Sequence, residues 1–377
     1  MSFRRSSFSV SVAAVSVLFM LAIVPTNLAA SNLYLQTNLV SDVPGLAVTM
    51  DPNLKNPWGV SFAPTSPFWV SNQATNTSTL YDGAGNIVPL VVAIPPIGIP
   101  QGPTGQVFNG TTDFGLADGS PASFLFATLD GQIQGWNGGE GTTAVNVATT
   151  AGAIYTGLAN GNVGTANFLY AADNTGHINV FDRTFQNVTN SMFPGKFTDP
   201  NALPGFNPYN IQNINGNLFV TYADVAHGIA QPGGFVDEYD SSGNFMKRIA
   251  TGGSLFAPWG ITLAPAGFGS FGGDLLIGQF GSGEILIFDP TTDQFLGTLD
   301  GRNGPIVNDG LWALEFRTGG ANTNPNDLYF TAGINSEADG LFGSIAPAPE
   351  PGTLSLIFGA VSALGAKILV RSRRRSI

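Results

Sequence analysis

The sequence contains no cysteine, only two histidines and few charged side chains, which make up 10% of its 377 residues. Without cysteine the chain has no disulfide, no thiol nucleophile, no iron–sulfur cluster and no cysteine-based zinc site. The shortage of Lys, Glu and Arg argues against long helices. What the chain has instead is 49 glycines, 25 prolines and 28 phenylalanines, a composition typical of short strands joined by tight turns. We therefore expect an all-β protein.

Basic side chains are concentrated at the two ends of the chain. Between residues 31 and 348 there are seven basic and twenty-four acidic side chains, so this segment carries a net charge of −17. Such a charge repels phosphate backbones and attracts divalent cations and cationic surfaces. The sequence therefore predicts no binding to nucleic acid.

Residues 1–30 have the pattern of a secretory signal peptide. Arg4 and Arg5 precede an uncharged, mostly apolar run, and the segment ends at Ala29 and Ala30. The alternative interpretation is a retained transmembrane anchor. The signal peptide predicts an exported protein.

Residues 347–377 predict a membrane anchor. The apolar stretch over residues 353–370 would form a helix about 27 Å long, which is enough to cross the hydrocarbon layer. Arginines that follow a transmembrane helix stay on the cytoplasmic side, so the body is expected outside the cytoplasm. The apolar anchor residues are Leu354, Ile357, Phe358, Leu364, Ile368 and Leu369, and the cytoplasmic ones are Arg371, Arg373, Arg374 and Arg375.

The motif Pro349, Glu350 and Pro351, followed by this helix and the arginines, resembles the PEP-CTERM sorting signal of Gram-negative bacteria. The resemblance implies that an exosortase, a membrane-embedded transpeptidase, recognises the motif. It also implies initial anchoring in the inner membrane and transfer to the cell envelope or the extracellular matrix. The alternative is a plain C-terminal anchor with a proline-rich linker.

A repeat of about 50 residues runs between the two terminal segments. The segment Asn56-Pro57-Trp58-Gly59-Val60 recurs as Ala257-Pro258-Trp259-Gly260-Ile261, and four further starts lie at residues 102–105, 155–158, 207–211 and 310–314. Each start is followed by a second, uniformly apolar strand, and third and fourth strands follow in several units. Four strands per unit and six units predict a six-bladed β-propeller over residues 31–346, with residues 33–39 closing the ring as the outer strand of the last blade. The alternative architecture is a pair of β-sandwiches.

The first unit also resembles a bacterial propeller family whose members are exported and often end in PEP-CTERM tails. The matching residues are Asn56 to Pro64, Trp69 to Asn72 and Leu80 to Asp82. This resemblance spans residues 31–346 and implies a fold and a location, but no activity.

In each antiparallel blade the first strand begins where the second strand ends, so residues at these places should share one mouth of the ring. Both histidines follow an aspartate just after a second strand, in neighbouring units. Such groups could hold a divalent metal such as calcium, or act as acid and base on an ester or lactone. The alternative is that they are solvated turn residues. The candidate metal or ligand residues are Asn72, Asp173, His177, Asp224, His227, Asn308 and Asp309.

Trp58, Trp259 and Trp312 occupy equivalent positions in their units. We expect them to fill wedges between blades, and the alternative is that they stack sugars at the mouth. Two functions follow from the sequence. One is a non-enzymatic, exported propeller that binds an extracellular polysaccharide or another partner; the other is a metal-assisted hydrolase or lactonase.

Overall fold

The computed structural model describes residues 33–226 and 229–349. This part of the chain contains one α-helix, α1 (Thr189–Met192), and short 3-10 helices at Gly138–Glu140 and Gly269–Phe271. The strands of the first half are β1 (Tyr34–Ser41), β2 (Thr49–Met50), β3 (Pro57–Ser61), β4 (Phe68–Asn72), β5 (Thr77–Tyr81), β6 (Ile87–Ala93), β7 (Pro103–Phe108), β8 (Phe124–Thr128), β9 (Gln132–Trp136), β10 (Val145–Thr149), β11 (Tyr155–Val163), β12 (Ala166–Asp173) and β13 (His177–Asp182). Those of the second half are β14 (Asn207–Ile214), β15 (Asn217–Ala223), β16 (Val225–Ala226), β17 (Ile229–Ala230), β18 (Phe235–Tyr239), β19 (Phe245–Thr251), β20 (Pro258–Leu263), β21 (Leu275–Gln279), β22 (Ile285–Phe288), β23 (Phe295–Thr298), β24 (Asp300–Gly301), β25 (Gly304–Pro305), β26 (Leu311–Glu315), β27 (Leu328–Ala332) and β28 (Leu341–Pro347).

Six antiparallel sheets form the blades of a β-propeller. In chain order they consist of β3–β6, β7–β10, β11–β13, β14 with β15, β18 and β19, β20–β23, and β26–β28 with β1. The first strands of successive blades contact one another in a closed circle, from β3 through β7, β11, β14, β20 and β26 back to β3. This circle confirms the predicted six-bladed propeller and excludes a pair of sandwiches.

Strand β1 closes the ring, as the sequence predicts. It pairs antiparallel with β28 over its whole length, from Tyr34 opposite Pro347 to Ser41 opposite Leu341. The Tyr34 ring is buried, and its hydroxyl donates to the carbonyl of Phe268 in the fifth blade over 2.9 Å. The outer strand of the last blade is therefore supplied by the start of the propeller sequence.

The third blade has three strands, so the prediction of four strands in every unit is wrong here. The chain after β13 turns into helix α1 instead of returning as a strand, and the backbone N–H of Val188 donates to the carbonyl of Val180. Val188 and Phe193 are buried in the same apolar cluster as Phe168. Apolar side chains at the two ends of a short helix thus pack on the blade where other blades have a fourth strand.

Glycine at the third residue of an inner strand lets neighbouring blades approach closely. A Cβ on Gly59 would lie 2.4 Å from the carbonyl oxygen of Thr104, and one on Gly105 would lie 2.2 Å from the backbone nitrogen of Leu158. Such distances are far below van der Waals contact, so only glycine fits there. In the fourth blade Asn210 takes this position, and its Nδ2 donates to the carbonyl of Trp259 over 2.9 Å.

Within residues 33–226 and 229–349 there is no helix of the length and apolarity needed to cross a bilayer. The predicted signal peptide, the predicted helix over residues 353–370 and the arginines after it lie outside the described residues, as do Glu350 and Pro351. Pro349 is described and is exposed. The signal peptide and the anchor helix stay predictions.

Candidate functional site

The ring of first strands surrounds a central channel that is open at two ends. We call the end where the first strands begin the aromatic mouth and the opposite end the polar mouth. The aromatic mouth holds a cavity of about 430 Å³, a volume within the usual range for small-molecule sites. Its lining residues are Trp58, Pro100, Leu129, Ile154, Thr156, Asn174, Tyr209, Val225, Phe280, Trp312 and Glu337.

Three tryptophans pack against one another where the channel narrows below this cavity. Trp58 stacks on Trp312 with ring centroids 3.6 Å apart, and Trp259 meets Trp58 edge to face at 6.2 Å. These residues come from the first, sixth and fifth blades, so rings from blades that are not neighbours meet near the axis. The sequence predicted that each tryptophan would fill a separate wedge between two blades, and the structure places them together instead. The tryptophans form one cluster that divides the channel.

Every first strand has a register shift near its beginning, at the aromatic mouth. In the first blade the shift lies between Pro57 and Val60, and in the fifth between Pro258 and Ile261. Such bulges change the direction of the side chains that they carry. The indole N–H of Trp259, which lies inside its bulge, donates to the carbonyl of Thr156 in the third blade over 3.0 Å. This bond joins two blades that are not adjacent in the ring.

Asn56 connects the tryptophan cluster to the polar side of the cavity. Its Oδ1 accepts from the indole N–H of Trp312 at 3.0 Å, and its Nδ2 donates to Gln73 Oε1 at 2.9 Å and to Glu337 Oε2 at 2.7 Å. The backbone of Asn56 has a φ of 44°, a left-handed conformation that asparagine tolerates better than most residues. Both the oxygen and the nitrogen of the Asn56 amide thus form hydrogen bonds within the site.

Glu337 is the carboxyl side chain among the described residues that line the aromatic cavity. It lies in the hairpin between β27 and β28. Burial raises its pKa above the usual value, the hydrogen bond from Asn56 opposes this rise, and the charge of Asp309 adds to it. Of the described lining residues none is basic, so the cavity has acidic character.

The polar mouth is lined differently. Six of the twelve residues around its space of about 140 Å³ carry amide, hydroxyl or carboxyl groups, and these are Ser61, Gln106, Asn160, Gln212, Asn213 and Glu315. Gln212 Nε2 donates to Glu315 Oε1 over 3.0 Å, across the channel from the fourth blade to the sixth. Burial raises the pKa of Glu315 to about 8, although the bond from Gln212 opposes this shift.

Two of the predicted site residues lie inside their own blades. Asn72 is fully buried, and its Nδ2 donates to the hydroxyls of Thr77 and Thr79. The Asp173 carboxylate accepts from the backbone N–H groups of Ile154 and Thr175 and from Asn179 Nδ2, each at 3.0 Å. These contacts stabilise a turn.

The remaining predicted site residues do not form one group. His177 begins β13, where it pairs with Asp173 of β12, and its side chain is exposed. Asp224 is half-buried and lies just before the β16–β17 hairpin. Asn308 is buried in a reciprocal amide pair with Gln36 of β1, at 2.8 and 2.9 Å. Asp309 is exposed and accepts weakly, at 3.4 Å, from the backbone of Ser336.

His227 lies outside the described residues. Among the residues that are described, no group of three or more His, Asp or Glu side chains could hold a metal ion. Calcium binding by this set stays a prediction, as does its role in hydrolysis.

In three blades the cavity is lined instead by the residue that follows the second strand. Leu129, Asn174 and Phe280 take this position and line the cavity, and Gln73 takes it in the first blade, where it contacts Asn56. Side chains alternate along a strand, so the last strand residue points into the blade when the next residue points to the channel. This alternation is the signal that would have identified these residues. Nothing in the repeat marks Glu337, because its hairpin has no counterpart in the other units.

Comparison with known proteins finds similar viral sequences, two of which match over most of their length. The uncharacterised protein R648 of Acanthamoeba polyphaga mimivirus is 31% identical over 327 residues, which cover 81% of this chain and 78% of R648. The uncharacterised protein L690 of the same virus is 30% identical over 325 residues, covering 81% of this chain and 84% of L690. No family model matches the chain.

Solved structures align with the chain at low sequence identity. A Streptogramin B lyase structure aligns with a TM-score of 0.46 and 11% identity, covering 84% of this chain and 97% of the lyase chain. Kuenenia stuttgartiensis hydrazine synthase aligns with a TM-score of 0.48 and 14% identity over 76% of each chain. Similarity at this level carries no information about activity.

The identification of the chain as a bacterial PEP-CTERM protein is wrong. Its curated relatives are mimivirus proteins, and each of the two matches extends over more than 320 residues. The sorting motif, by contrast, occupies only about the last 30 residues and depends on three short features. A proline-rich linker, an apolar run and a few arginines are simple enough to occur together outside that family.

Proposed function

This chain belongs to the same protein family as R648 and L690 of Acanthamoeba polyphaga mimivirus, and from its geometry we propose that it is a binding protein that takes an organic ligand with apolar faces into the aromatic mouth. The cavity of about 430 Å³ is the observation that carries this proposal. A ligand of that volume would remove a large apolar surface from water on binding.

The lining supports an apolar ligand. Eight of its eleven residues are apolar or aromatic, and the other three are Thr156, Asn174 and Glu337. An apolar wall with a few polar groups is the usual arrangement of a small-molecule site, in which polar groups orient the ligand. An extracellular polysaccharide, the partner expected from the sequence, would offer many hydroxyls to a wall that has few partners for them.

The approach to the cavity is apolar as well. Pro100, which lines the cavity, follows Ile97 and Ile99, whose side chains are 62% and 93% exposed. Asp130 Oδ2 holds this loop at the mouth by accepting from the backbone N–H groups of Ile97 and Gly98 at 2.7 and 3.0 Å. Exposed apolar side chains beside a cavity are typical of a binding surface.

The neutral fluorescent probe N-phenyl-1-naphthylamine tests the proposal. We expect saturable binding to the full chain, seen as a rise in probe fluorescence and as quenching of tryptophan emission. Leu129→Trp should abolish binding, because Leu129 is half-buried on the cavity wall and a larger side chain would fill the space. Val107→Trp, at a half-buried position of the polar mouth, is the matched control and should bind normally. Absence of binding, or equal binding by Leu129→Trp and the wild type, would overturn the proposal.

Export is a separate part of the proposal. It is supported by Arg4, Arg5 and the apolar run that follows them, and by the absence of cysteine, which makes the fold independent of redox conditions. Fusion of residues 1–30 to a reporter enzyme should bring the reporter to the medium or the secretory compartment. A fusion that stays in the cytosol would contradict export and would leave the binding proposal unaffected.

A further inference from the structure

The acidic side of the aromatic cavity has no basic partner among the residues that the structure describes. Glu337 lines the cavity, and the charge of Asp309 lies close enough to influence it. The basic residue nearest in sequence to this site is Lys55, next to Asn56. Its ammonium group already contacts Asp42 at 2.5 Å and Asp339 at 3.3 Å. The carboxyl group of Glu337 therefore lacks a counter-charge from that side chain.

The backbone holds Glu337 in place at an energetic cost. Asn335, Ser336 and Glu337 are three consecutive residues with positive φ, at 55°, 55° and 65°. A positive φ is strained for residues other than glycine, less so for asparagine, and strain of this kind is concentrated at functional sites. The backbone N–H of Glu337 donates to the carbonyl of Gly333 over 3.0 Å, which closes this left-handed turn. The turn directs a carboxyl group into an apolar cavity.

A carboxyl group in such surroundings favours a cationic partner. Burial in the cavity wall removes water from the Glu337 carboxyl group, which disfavours its charged form and raises its pKa. A bound ammonium group would supply both an opposite charge and hydrogen-bond donors. The net charge of −17 on residues 31–348 would also attract a cationic ligand to the protein.

We propose that the ligand of the aromatic mouth is an apolar primary amine. Its ammonium group binds the Glu337 carboxylate, and its apolar body packs against the cavity wall formed by Leu129, Val225 and Phe280. This inference rests on the binding function proposed above and specifies the chemical class of the ligand. Aromatic rings around an ammonium group would add a favourable cation–π contribution.

Three ligands that share one apolar ring and differ in charge distinguish the amine proposal from the binding proposal. Benzylamine, benzyl alcohol and benzoate, which are cationic, neutral and anionic at neutral pH, would each displace N-phenyl-1-naphthylamine from the full chain. We expect benzylamine to bind about tenfold more tightly than benzyl alcohol, and benzoate to bind most weakly. In Glu337→Gln, benzylamine should bind only as tightly as benzyl alcohol, each measured relative to the probe affinity of that variant.

Glu315→Gln at the polar mouth is the matched control, and it should leave the whole series unchanged. A circular dichroism spectrum and a melting temperature like those of the wild type show that Glu337→Gln is folded. Equal binding of benzylamine and benzyl alcohol to the wild type would overturn the inference about the amine, while probe binding would still support the binding function. If the wild-type protein does not bind the probe, both proposals are overturned.

Discussion

The indole N–H of Trp312 in the sixth blade donates a hydrogen bond to Oδ1 of Asn56 in the first blade over a distance of 3.0 Å. The bond lies at the junction where the ring closes. It also fixes the orientation of the asparagine amide, so that Nδ2 is directed to Gln73 and Glu337. One side chain thus connects ring closure with the binding site.

Asn56→Ala should lower the free energy of unfolding by about 2 kcal/mol. The substitution leaves the buried indole N–H of Trp312 without its partner, and it places alanine at a positive φ. Urea unfolding followed by tryptophan fluorescence measures the change. Asn162→Ala serves as the control, because this exposed asparagine bonds only to the nearby carbonyl of Gly164, and it should change stability by less than about 0.5 kcal/mol. Equal stability of the two variants would show that the bond is unimportant.

Gly105→Ala should destabilise the propeller by roughly 2–3 kcal/mol or prevent folding. A Cβ there would lie 2.2 Å from the backbone nitrogen of Leu158, so two neighbouring blades would have to separate. Thermal unfolding followed by circular dichroism measures this. Gly138→Ala is the matched control, since a Cβ at that position meets nothing within 4 Å, and its melting temperature should stay near that of the wild type. If the two variants have the same melting temperature, the stability of the propeller does not depend on the close approach of the first strands.

Stability at alkaline pH should depend on Glu315. Its pKa is raised from 4.5 to about 8 in the folded protein, so folding favours the protonated form. The contribution of Glu315 to the free energy of unfolding is fully present below about pH 4.5, decreases as pH rises, and is lost above about pH 8. Near pH 9 Glu315→Gln should therefore be more stable than the wild type by about 1–3 kcal/mol, a value reduced because the side chain is only half-buried. Near pH 5 the two proteins should differ little. Urea unfolding at both pH values, in the presence of a chelator, checks this; a difference that does not change with pH would contradict it.

Deletion of residues 33–41 should abolish cooperative unfolding of the propeller. This deletion removes β1 and leaves the backbone groups of β28 unpaired at the edge of the last blade. A synthetic peptide of residues 33–42, added in excess, should restore a cooperative transition in proportion to its concentration. The same peptide should have no effect on the complete chain. A deleted protein that unfolds as cooperatively as the wild type would show that the blade does not need its outer strand.

The architecture could be predicted from the sequence because each blade leaves its own repeated signal. The segments around Trp58 and Trp259 mark equivalent strand starts, and the strand composition of residues 33–39 predicted the closing strand. The third blade could not be predicted fully. Whether residues 184–198 form a strand or a helix depends on which apolar side chains, such as Val188 and Phe193, reach the neighbouring sheet.

The site was predicted less well than the fold. Strand direction pointed to the mouth that holds the aromatic cavity, but Asn72 and Asp173 lie one residue before the positions that reach the channel. A shift of one residue reverses the direction of a side chain, and bulges in the first strands make the register impossible to count from sequence alone. Glu337 reaches the cavity through a left-handed turn in an unrepeated hairpin, so no periodic pattern indicates it.

The pairing of β1 with β28 has a consequence for the synthesis of the protein. The two strands lie at opposite ends of the described sequence, and the ribosome makes β28 last. Five blades can form while translation continues, but the sixth cannot be completed until its final strand has emerged. Contacts so distant in sequence form slowly. During that interval the nascent chain exposes two open strand edges, and chaperone binding or aggregation would compete with closure at that stage.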